Sequence, residues 1–520
     1  MSALPKTAGD RLEEFALRLD RRPILVVAAL ALLYIAQIAP SVQRHLTFDE
    51  LHTFYIAQAS SVRQFVDEIR GLDLNPPLSY LLVRASMKVV GPTELGARLP
   101  SILGYFAASM GIFVFIARRV GALWGATAVE IWWYSLTFFY ATEARPYGLL
   151  LGFLGVLLVS WDTVADTKTG GIRRRLALAG VAAGAAGMLL NHVYAPLWVV
   201  PFWAAELVRQ WRRRSIDWPL WAALILPMGA CLSYVPLVHS VNQVVFPPVL
   251  QASFLKALLF YAQLIATVAL PVAVAALLAF AIALWRRGRS QTPVGTRSKV
   301  EFQDYELGLL AVSLLPPVLL NAVLMVQHVA FYPRHAVPTF MMAYVLLVLF
   351  IAYESRVNRL SGLAAALAIL AFTWVPKAEA LMPRPAAAAV EKEVPYDEIH
   401  PELPFVTNSA LTFLEMDRYE NPALVSRLYF LVDLESALKY DHTNLTEGMP
   451  EVKRSFPVRG KVSRYADFAA VHQHFLVWGV LDQAGWLLRK LKTEGARMIE
   501  IGKFNTPYAD SQLYEVWLKP

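Results

Sequence analysis

The chain has 520 residues, of which 57% are hydrophobic and only 17% are charged, with a mean hydropathy of +0.44. Soluble globular domains carry about 25% charged residues, so this composition excludes a soluble protein and predicts that most of the chain lies in a membrane. The formal net charge of +8 falls largely in short loops, which indicates membrane topology rather than nucleic-acid binding. The single cysteine, Cys231, excludes a disulfide framework.

Apolar segments recur from Pro23 to about Val375 and predict a polytopic α-helical membrane protein. No small-residue cleavage site follows the charged residues before Pro23, so we expect an uncleaved first helix. The eighth segment is too long for one straight span and contains Pro271, so we expect an interfacial turn at its start. The eleven predicted spans, against an alternative count of twelve or thirteen, are Pro23–Pro40, Arg98–Ile116, Leu123–Thr142, Tyr147–Trp161, Arg175–Leu190, Ala195–Leu207, Trp218–Leu237, Lys256–Trp285, Leu307–Val326, Pro338–Tyr353 and Leu360–Val375.

Arginine clusters between the apolar segments predict the orientation. If all of them are cytoplasmic, the N-terminus is cytoplasmic and the C-terminal region is extracytoplasmic. This parity requires that Asn75–Val90 does not span, and the spacing of Arg84 and Lys88 on one helix face suits an interfacial helix. The clusters are Arg21–Arg22, Arg118–Arg119, Arg173–Arg175, Arg212–Arg214, Arg286–Arg289 and Arg356–Arg359.

The composition changes at Pro376, where a Pro/Ala-rich charged connector begins. Short apolar runs then alternate with helical stretches such as YADFAAVHQ and GWLLRKLKTEG, which predicts a small α/β domain. We therefore divide the chain into a transmembrane domain, 1–375, with a first outer loop at 41–97, and an extracytoplasmic domain, 376–520. The predicted strands are PFVT, RLYFLVD, HFLVWGV, ARMIEIGKF and LYEVWL.

The stretch HLTFDELHTFYIAQ directly follows the first predicted span. It contains the adjacent acids Asp49 and Glu50, with His52 two residues further on. A carboxylate at the end of a span is costly unless it is hydrated or paired. Three interpretations stay open from these residues: a hydrated boundary, a metal site built from the two acids and His52, or a catalytic base.

Further polar turns fall on the same predicted side. TEARPYG places Glu143, Arg145 and Tyr147 between two apolar runs with almost no loop. Arg145 could pair with Glu143 or offer its guanidinium to a phosphate. NHVY and FYPRH are two more such insertions, and the cation Arg334 in the second is flanked by apolar sequence and needs an anion. In DLNPPLSYLL, by contrast, helix capping by Asp73 or Asn75 explains most of the pattern.

Together these turns predict an outward-facing site of carboxylates, arginines and aromatic side chains. Such a site suits a substrate with a lipid tail, an anionic phosphate and a polar headgroup. A carboxylate would take a proton from an acceptor hydroxyl, and the arginines would stabilise the departing phosphate.

Six motifs follow one another along the chain: FDE after the first span, NPPLSYLL, ELGARLPSILG, EARPYGLLL, H-x-Y, and PRH before a late span. In this order and sidedness they resemble bacterial glycosyltransferases of the GT-C superfamily, in the branch near protein O-mannosyltransferases and lipid A aminoarabinose transferases. The resemblance covers roughly residues 21–359. The tail from PFVTNSAL also resembles the extracytoplasmic domain of some bacterial members.

The resemblance implies an inverting enzyme that uses a polyprenyl-phosphate sugar, such as an undecaprenyl-phosphate sugar, on the outer face of the bacterial cytoplasmic membrane. The acceptor hydroxyl would belong to a glycan, a lipid or a protein, and no nucleic acid is involved. No cofactor and no metal are expected beyond the donor, although oligosaccharyltransferases of the superfamily use a divalent ion, so a metal stays an alternative.

The resemblance also assigns roles to residues. Asp49, with Glu50 beside it, falls on the family's base. Relatives often carry Lys or His where this chain has Asn75, and an uncharged amide cannot neutralise a phosphate, so other cations would take that load. The expected phosphate ligands are Arg145, Arg334, Arg98 and Lys88, and the expected cavity residues are Glu143, Tyr147, His192, Tyr194, Asn75 and His52.

Two other classes of function stay open. A transporter or flippase of a lipid-linked glycan would place ionisable residues near the middle of the membrane, whereas here they cluster at one rim, with Glu130 as the main exception. A catalytically silent scaffold would use its outer α/β domain to bind a partner, and acids and arginines at separate turns argue against it.

Overall fold

A computed structural model describes residues 8–73, 75–234, 245–289, 303–381, 395–481, 485–508 and 512–519. The first part of the chain is a bundle of mostly apolar helices. In chain order its helices and those of its outer loop are α1 (Ala8–Asp20), α2 (Pro23–Ile38), α3 (Phe48–Ile56), α4 (Val62–Glu68), α5 (Leu78–Val90), α6 (Glu94–Val120), α7 (Ala122–Tyr134), α8 (Pro146–Ala165), α9 (Gly171–Leu189), α10 (Pro196–Arg213), α11 (Trp218–Ile225), α12 (Phe254–Ala266), α13 (Ala269–Arg289), α14 (Asp304–Val312), α15 (Pro316–Val326), α16 (Val337–Glu354) and α17 (Arg359–Leu381).

Each predicted span contains α-helix, so the polytopic helical fold is confirmed. Helix α7, however, ends at Tyr134 within the third predicted span, and the ninth span is divided between α14 and α15. Seven helical stretches in the described residues are long and apolar enough to cross a membrane by themselves. The eighth predicted span is two helices, α12 and α13, and Pro271 lies in the first turn of α13, where a missing amide donor costs nothing. The end of the predicted span at 235–237 lies outside the described residues.

Glycines bring α6 and α8 into direct backbone contact. A Cβ atom on Gly104 would lie 2.5 Å from the carbonyl oxygen of Gly148, and one on Gly111 would lie 2.7 Å from the Cα of Gly155. Small residues at facing positions allow this close approach of membrane helices. Arg98 lies in the first turns of α6 and Arg145 is the N-cap of α8, so the packing brings these two arginines to the same end of the bundle.

The predicted basic clusters meet at the opposite end. Arg359 Nε lies 2.7 Å from Asp20 Oδ2, which joins the start of α17 to the end of α1. Helices that are distant in sequence are joined in the same way, so clusters predicted to share one membrane face do lie together. The other pairs are Arg118–Asp162, Arg119–Glu306, Arg174–Asp217, Arg212–Asp304 and Arg286–Glu13.

The C-terminal part contains a six-stranded sheet with the order β3-β2-β1-β4-β6-β5. The first four strands are parallel, and β6 and β5 are antiparallel additions. All five predicted strands are present, and the sixth is β3, an exposed polar edge strand. The elements are β1 (Phe405–Thr407), α18 (Ala410–Tyr419), α19 (Pro422–Ser426), β2 (Leu428–Val432), α20 (Leu434–Ser436), α21 (Met449–Ser455), β3 (Lys461–Arg464), α22 (Tyr465–Val471), β4 (His474–Trp478), α23 (Trp486–Thr493), β5 (Arg497–Lys503) and β6 (Gln512–Trp517).

The outer loop and the C-terminal part share one apolar core. Leu51 and Phe54 of α3 and Phe413 of α18 belong to the same buried cluster, so the loop that follows the first span is covered by the α/β domain. The division at 375/376 stays a prediction. Helix α17 continues past that point to Leu381, and residues 382–394 lie outside the described residues.

Candidate active site

Helix α3 begins with a capping box that occupies Glu50. Its carboxylate accepts a hydrogen bond from the Thr47 amide at 3.0 Å, while the Thr47 side chain caps the Glu50 amide. Glu50 also binds Arg98 through two hydrogen bonds of 2.8 Å and accepts one from the Ala144 amide at 2.8 Å. Both Glu50 and Arg98 are fully buried. The pair therefore anchors the outer loop to α6, and neither side chain is open to a substrate.

Asp49, the neighbour of Glu50, points to a different partner. Its Oδ2 accepts a hydrogen bond of 2.9 Å from Arg334 NH1, across 285 residues of sequence. Each of these two side chains keeps 34% of its surface exposed. Burial would raise the pKa of Asp49, but the positive charges of Arg145 and Arg334 outweigh it and hold the pKa below its usual value. Asp49 is thus an ionised carboxylate with solvent access.

Arg145 is held by a carboxylate that lies outside the predicted set of site residues. Its NH2 donates to Asp73 Oδ1 at 2.7 Å and its NH1 to Asp73 Oδ2 at 2.5 Å. NH1 also lies 3.1 Å from the Asp49 carbonyl oxygen and 3.3 Å from Thr53 Oγ1. The pairing of Arg145 with Glu143 that the sequence suggested is replaced by these two hydrogen bonds, which link α8 to the middle of the outer loop.

Either Asp73 or Asn75 was expected to cap the helix that follows, and this expectation is wrong. Helix α5 begins after Pro77 without a side-chain cap. Asn75 Nδ2 instead donates to the carbonyl and carboxylate oxygens of Asp73 at 3.3 Å. Asn75 is buried beside the Arg145 pair, and its amide orients the carboxylate that binds Arg145.

Glu143 lies buried at the same turn, and its Oε2 has no hydrogen-bond partner among the residues that the structure describes. Burial raises the pKa of Glu143 to about 7; Arg145 opposes this rise, and the negative charges of Glu50 and Asp49 add to it. Glu143 is therefore a group that changes its charge near neutral pH within the electrostatic field of Asp49.

Aromatic rings surround this group of charges. The ring of His192 lies 5.5 Å from those of Tyr147 and Tyr194, and the ring of His335 lies 5.0 Å from Tyr194. Arg334 stacks over the ring of Tyr332 at 4.6 Å. Burial and the nearby arginines lower the pKa of His192 to about 3, so its imidazole is neutral. The turns predicted to share one side thus supply one cluster.

Lys88 lies apart from this cluster, whereas His52 lies at its edge, within the electrostatic field of Asp73, Arg145 and Asp49. His52 Nδ1 lies 3.0 Å from the Phe48 carbonyl oxygen, and its ring packs against Phe48 and Phe456. Lys88 is exposed near the end of α5. Among the residues that the structure describes, no three His, Cys, Asp or Glu side chains are grouped to hold a metal ion.

An apolar cleft of about 520 Å³ lies between α5, α6 and α8. Its wall includes Leu149, one helical turn beyond Arg145, and continues to Val156. At 1.5 Å per residue it extends roughly 10 Å along α8. The cleft therefore begins beside the Arg145 turn and follows the direction of the membrane helices.

The bundle, its polar end with Asp49 and Arg334, and the α/β domain over that end define a multi-pass membrane protein with the GT-C architecture that the sequence predicts. No protein-family model and no curated protein matches the chain. The crystal structure of ArnT from Cupriavidus metallidurans bound to undecaprenyl phosphate, a GT-C glycosyltransferase, matches with a TM-score of 0.50 at 12% identity, over 95% of this chain and 97% of that chain. The apo state of the same protein matches over the same shares with a TM-score of 0.41 and 13% identity. At this identity the likeness establishes the fold, which is the GT-C fold.

Proposed function

We propose that this protein is an inverting glycosyltransferase that takes a sugar from a polyprenyl-phosphate donor. The observation that carries the proposal is the 2.9 Å contact of Asp49 with Arg334, which puts an ionised base and a cation side by side at the solvent-exposed end of a membrane bundle. The GT-C fold makes this reaction class the natural one for such a site. The solved protein with this fold is bound to undecaprenyl phosphate.

In the proposed reaction Asp49 takes the proton of the acceptor hydroxyl. The hydroxyl oxygen attacks the anomeric carbon, the bond from that carbon to the phosphate oxygen breaks, and the electron pair leaves with the polyprenyl phosphate. Arg334 stabilises the charge on the departing phosphate. A single displacement of this kind inverts the anomeric centre.

Binding of the donor phosphate would also change the basicity of Asp49. With Arg334 as its partner Asp49 is a weak base, because the arginine favours the ionised carboxylate. A phosphate dianion or diester competes for the same guanidinium, and Arg334 Nε is a buried donor without a partner in the described residues. Donor binding would draw Arg334 from Asp49 to the phosphate, so the carboxylate becomes more basic when the substrate is present.

Arg145 serves this site chiefly by position. Asp73 already takes both of its terminal nitrogens, so Arg145 offers its positive field and its Nε, which is buried without a partner in the described part of the chain. The apolar cleft that starts near Leu149 would receive hydrocarbon of the donor. We place the site on the outer face of the bacterial cytoplasmic membrane, with the basic end of the bundle in the cytoplasm.

The test is transfer by the purified protein in lipid vesicles, supplied with a panel of labelled undecaprenyl-phosphate sugars and with extracted envelope glycans, lipids and proteins as acceptors. We expect one donor to be consumed, with release of free undecaprenyl phosphate and label in a glycan, lipid or protein acceptor. We expect a chelator to leave the rate of transfer unchanged, because no step of the proposed reaction uses a metal ion. Movement of the intact donor across the bilayer without cleavage would instead identify a flippase and overturn the proposal.

A further inference from the structure

Helix α18 of the C-terminal domain binds two backbone amides just before Asp49, those of Leu46 and Phe48. Glu415 Oε1 of α18 accepts a hydrogen bond of 3.0 Å from the Phe48 amide. The hydroxyl of Tyr419, one turn later on α18, accepts one of 2.7 Å from the Leu46 amide. The Tyr419 ring stacks on His45 with a centroid distance of 3.9 Å.

The same stretch is held from the membrane side by a different group. Arg98 donates to the carbonyl oxygens of Val42, Arg44 and His45 at 2.9, 2.6 and 3.0 Å. The bundle therefore binds the carbonyl groups of this segment, and the α/β domain binds its amides. Asp49 is the residue that follows directly after this doubly held stretch.

The Phe48 amide belongs to the first turn of α3, where helix amides have no partner within the helix. The capping box satisfies Thr47 and Glu50, which leaves the Phe48 amide for a group from outside. Glu415 supplies that group through a carboxyl oxygen, an acceptor that a helix N-terminus favours most when it is ionised. Burial raises the pKa of Glu415 to about 7, and the hydrogen bond from the Phe48 amide opposes this rise because it favours the ionised form. The hydroxyl of Tyr419, one turn after Glu415, donates a hydrogen bond to Glu94 Oε1 at 2.9 Å, so α18 is also bound to α6.

We propose that Glu415 is a positioning residue, which fixes the first turn of α3 and so holds the Asp49 carboxylate against Arg334. The C-terminal domain is then part of the active site through its contact with the backbone, without touching substrate. This inference rests on the proposed function for its kinetic consequence, but its structural consequence, protection of the Phe48 amide, does not.

The experiment uses the full chain in lipid nanodiscs and measures both consequences. Hydrogen exchange of peptides covering residues 45–50 reports the amides, and transfer kinetics report the site. Loss of a hydrogen bond to a charged acceptor should raise the equilibrium constant for local opening of the helix end by roughly 10- to 100-fold. We expect Glu415→Ala to speed this exchange by about that factor and to lower kcat while the donor KM stays unchanged, and we expect Glu415→Gln, which keeps an acceptor oxygen, to recover most of both.

Glu435→Ala, which removes an exposed carboxylate of the same domain, is the matched control and should change neither readout. If Glu415→Ala fails to fold, Tyr419→Phe removes the hydroxyl that binds the Leu46 amide and Glu94 and should speed exchange in the same peptides. The inference is overturned if Glu415→Ala exchanges like the wild type, or if Glu415→Gln loses as much kcat as Glu415→Ala. Faster exchange in Glu415→Ala, alongside a wild-type protein that shows no transfer activity, would overturn the proposed function alone.

Discussion

The buried pair of Asp73 and Arg145 allows a quantitative test of how the outer loop is attached. The side chains are only 6% and 7% exposed and share two hydrogen bonds. Asp73→Ala leaves the guanidinium buried, and its remaining acceptors in the described part of the chain are the Asp49 carbonyl and the Thr53 hydroxyl. Breaking a buried pair by removing one partner costs about 3–5 kcal/mol, and we expect this loss in the free energy of unfolding.

A double-mutant cycle separates the pair from the rest of the site. Arg145→Met removes the charge that Asp73→Ala strands, so the double variant should be more stable than Asp73→Ala alone, with a coupling energy on the order of 3 kcal/mol. The assay is denaturant titration in detergent micelles, followed by intrinsic tryptophan fluorescence.

The control is an ion pair in the same outer loop that lies in water. Arg63 Nε and Asp67 Oδ2 are 3.8 Å apart on side chains that are 93% and 67% exposed. Asp67→Ala should change the free energy of unfolding by less than about 1 kcal/mol. If Asp73→Ala cost no more than Asp67→Ala, the pair would not anchor the loop and our account of Arg145 would be wrong.

Three further predictions concern charge and the cleft. Burial raises the pKa of Glu143 from 4.5 to about 7, so the free energy of unfolding should fall as pH rises from 4.5 through 7. Glu143→Gln should therefore stabilise the protein above pH 7 by up to about 3 kcal/mol and leave its stability unchanged below pH 4. Thermal unfolding across this pH range measures the effect. Arg334→Ala removes a charge that lowers the pKa of Asp49, so the acid limb of kcat/KM should move to higher pH while donor affinity falls, and an unmoved limb would contradict the base assignment. Ala85→Trp, on the exposed wall of the cleft, should raise the KM for a long-chain donor about tenfold, equivalent to losing burial of one or two methylenes, and spare a short-chain analogue; Leu32→Trp on the outer face of α2 is the control.

Hydropathy predicted the helices because membrane burial requires long apolar runs, and this signal is local. The break between α12 and α13 is local too, because it lies at a proline in an overlong segment. The strand β3 escaped prediction because its sequence, KVSR, is polar and exposed at the sheet edge. The strand order, with β4 next to β1, depends on contacts between distant segments, which no local pattern encodes.

The site shows the same division between local and distant information. Shared sidedness placed Asp49 and Arg334 on one end, but only the fold shows that their side chains meet. Glu50 and Arg98 have the charges that a substrate site needs, but they form a buried ion pair that anchors the loop. The sequence cannot separate these two roles, because both use a carboxylate and an arginine. The sequence predicts Asp73 and Asn75 as possible helix caps, because Asp or Asn shortly before a double proline is typical of a capped helix start. The same Asp serves equally well to bind an arginine. Glu415 carried no sequence signal, since its partner is a backbone amide far away in the chain.

The central claim is that Asp49 is the base, and Asp49→Asn tests it most directly because the amide keeps the shape of the side chain and loses its basicity. The measurement is single-turnover transfer from a labelled undecaprenyl-phosphate sugar, beside donor binding by the same preparation and beside Asp67→Asn as the surface control. The account predicts that Asp49→Asn binds donor and transfers at least about 100-fold more slowly, while Asp67→Asn transfers like the wild type. Near-normal transfer by Asp49→Asn would contradict it.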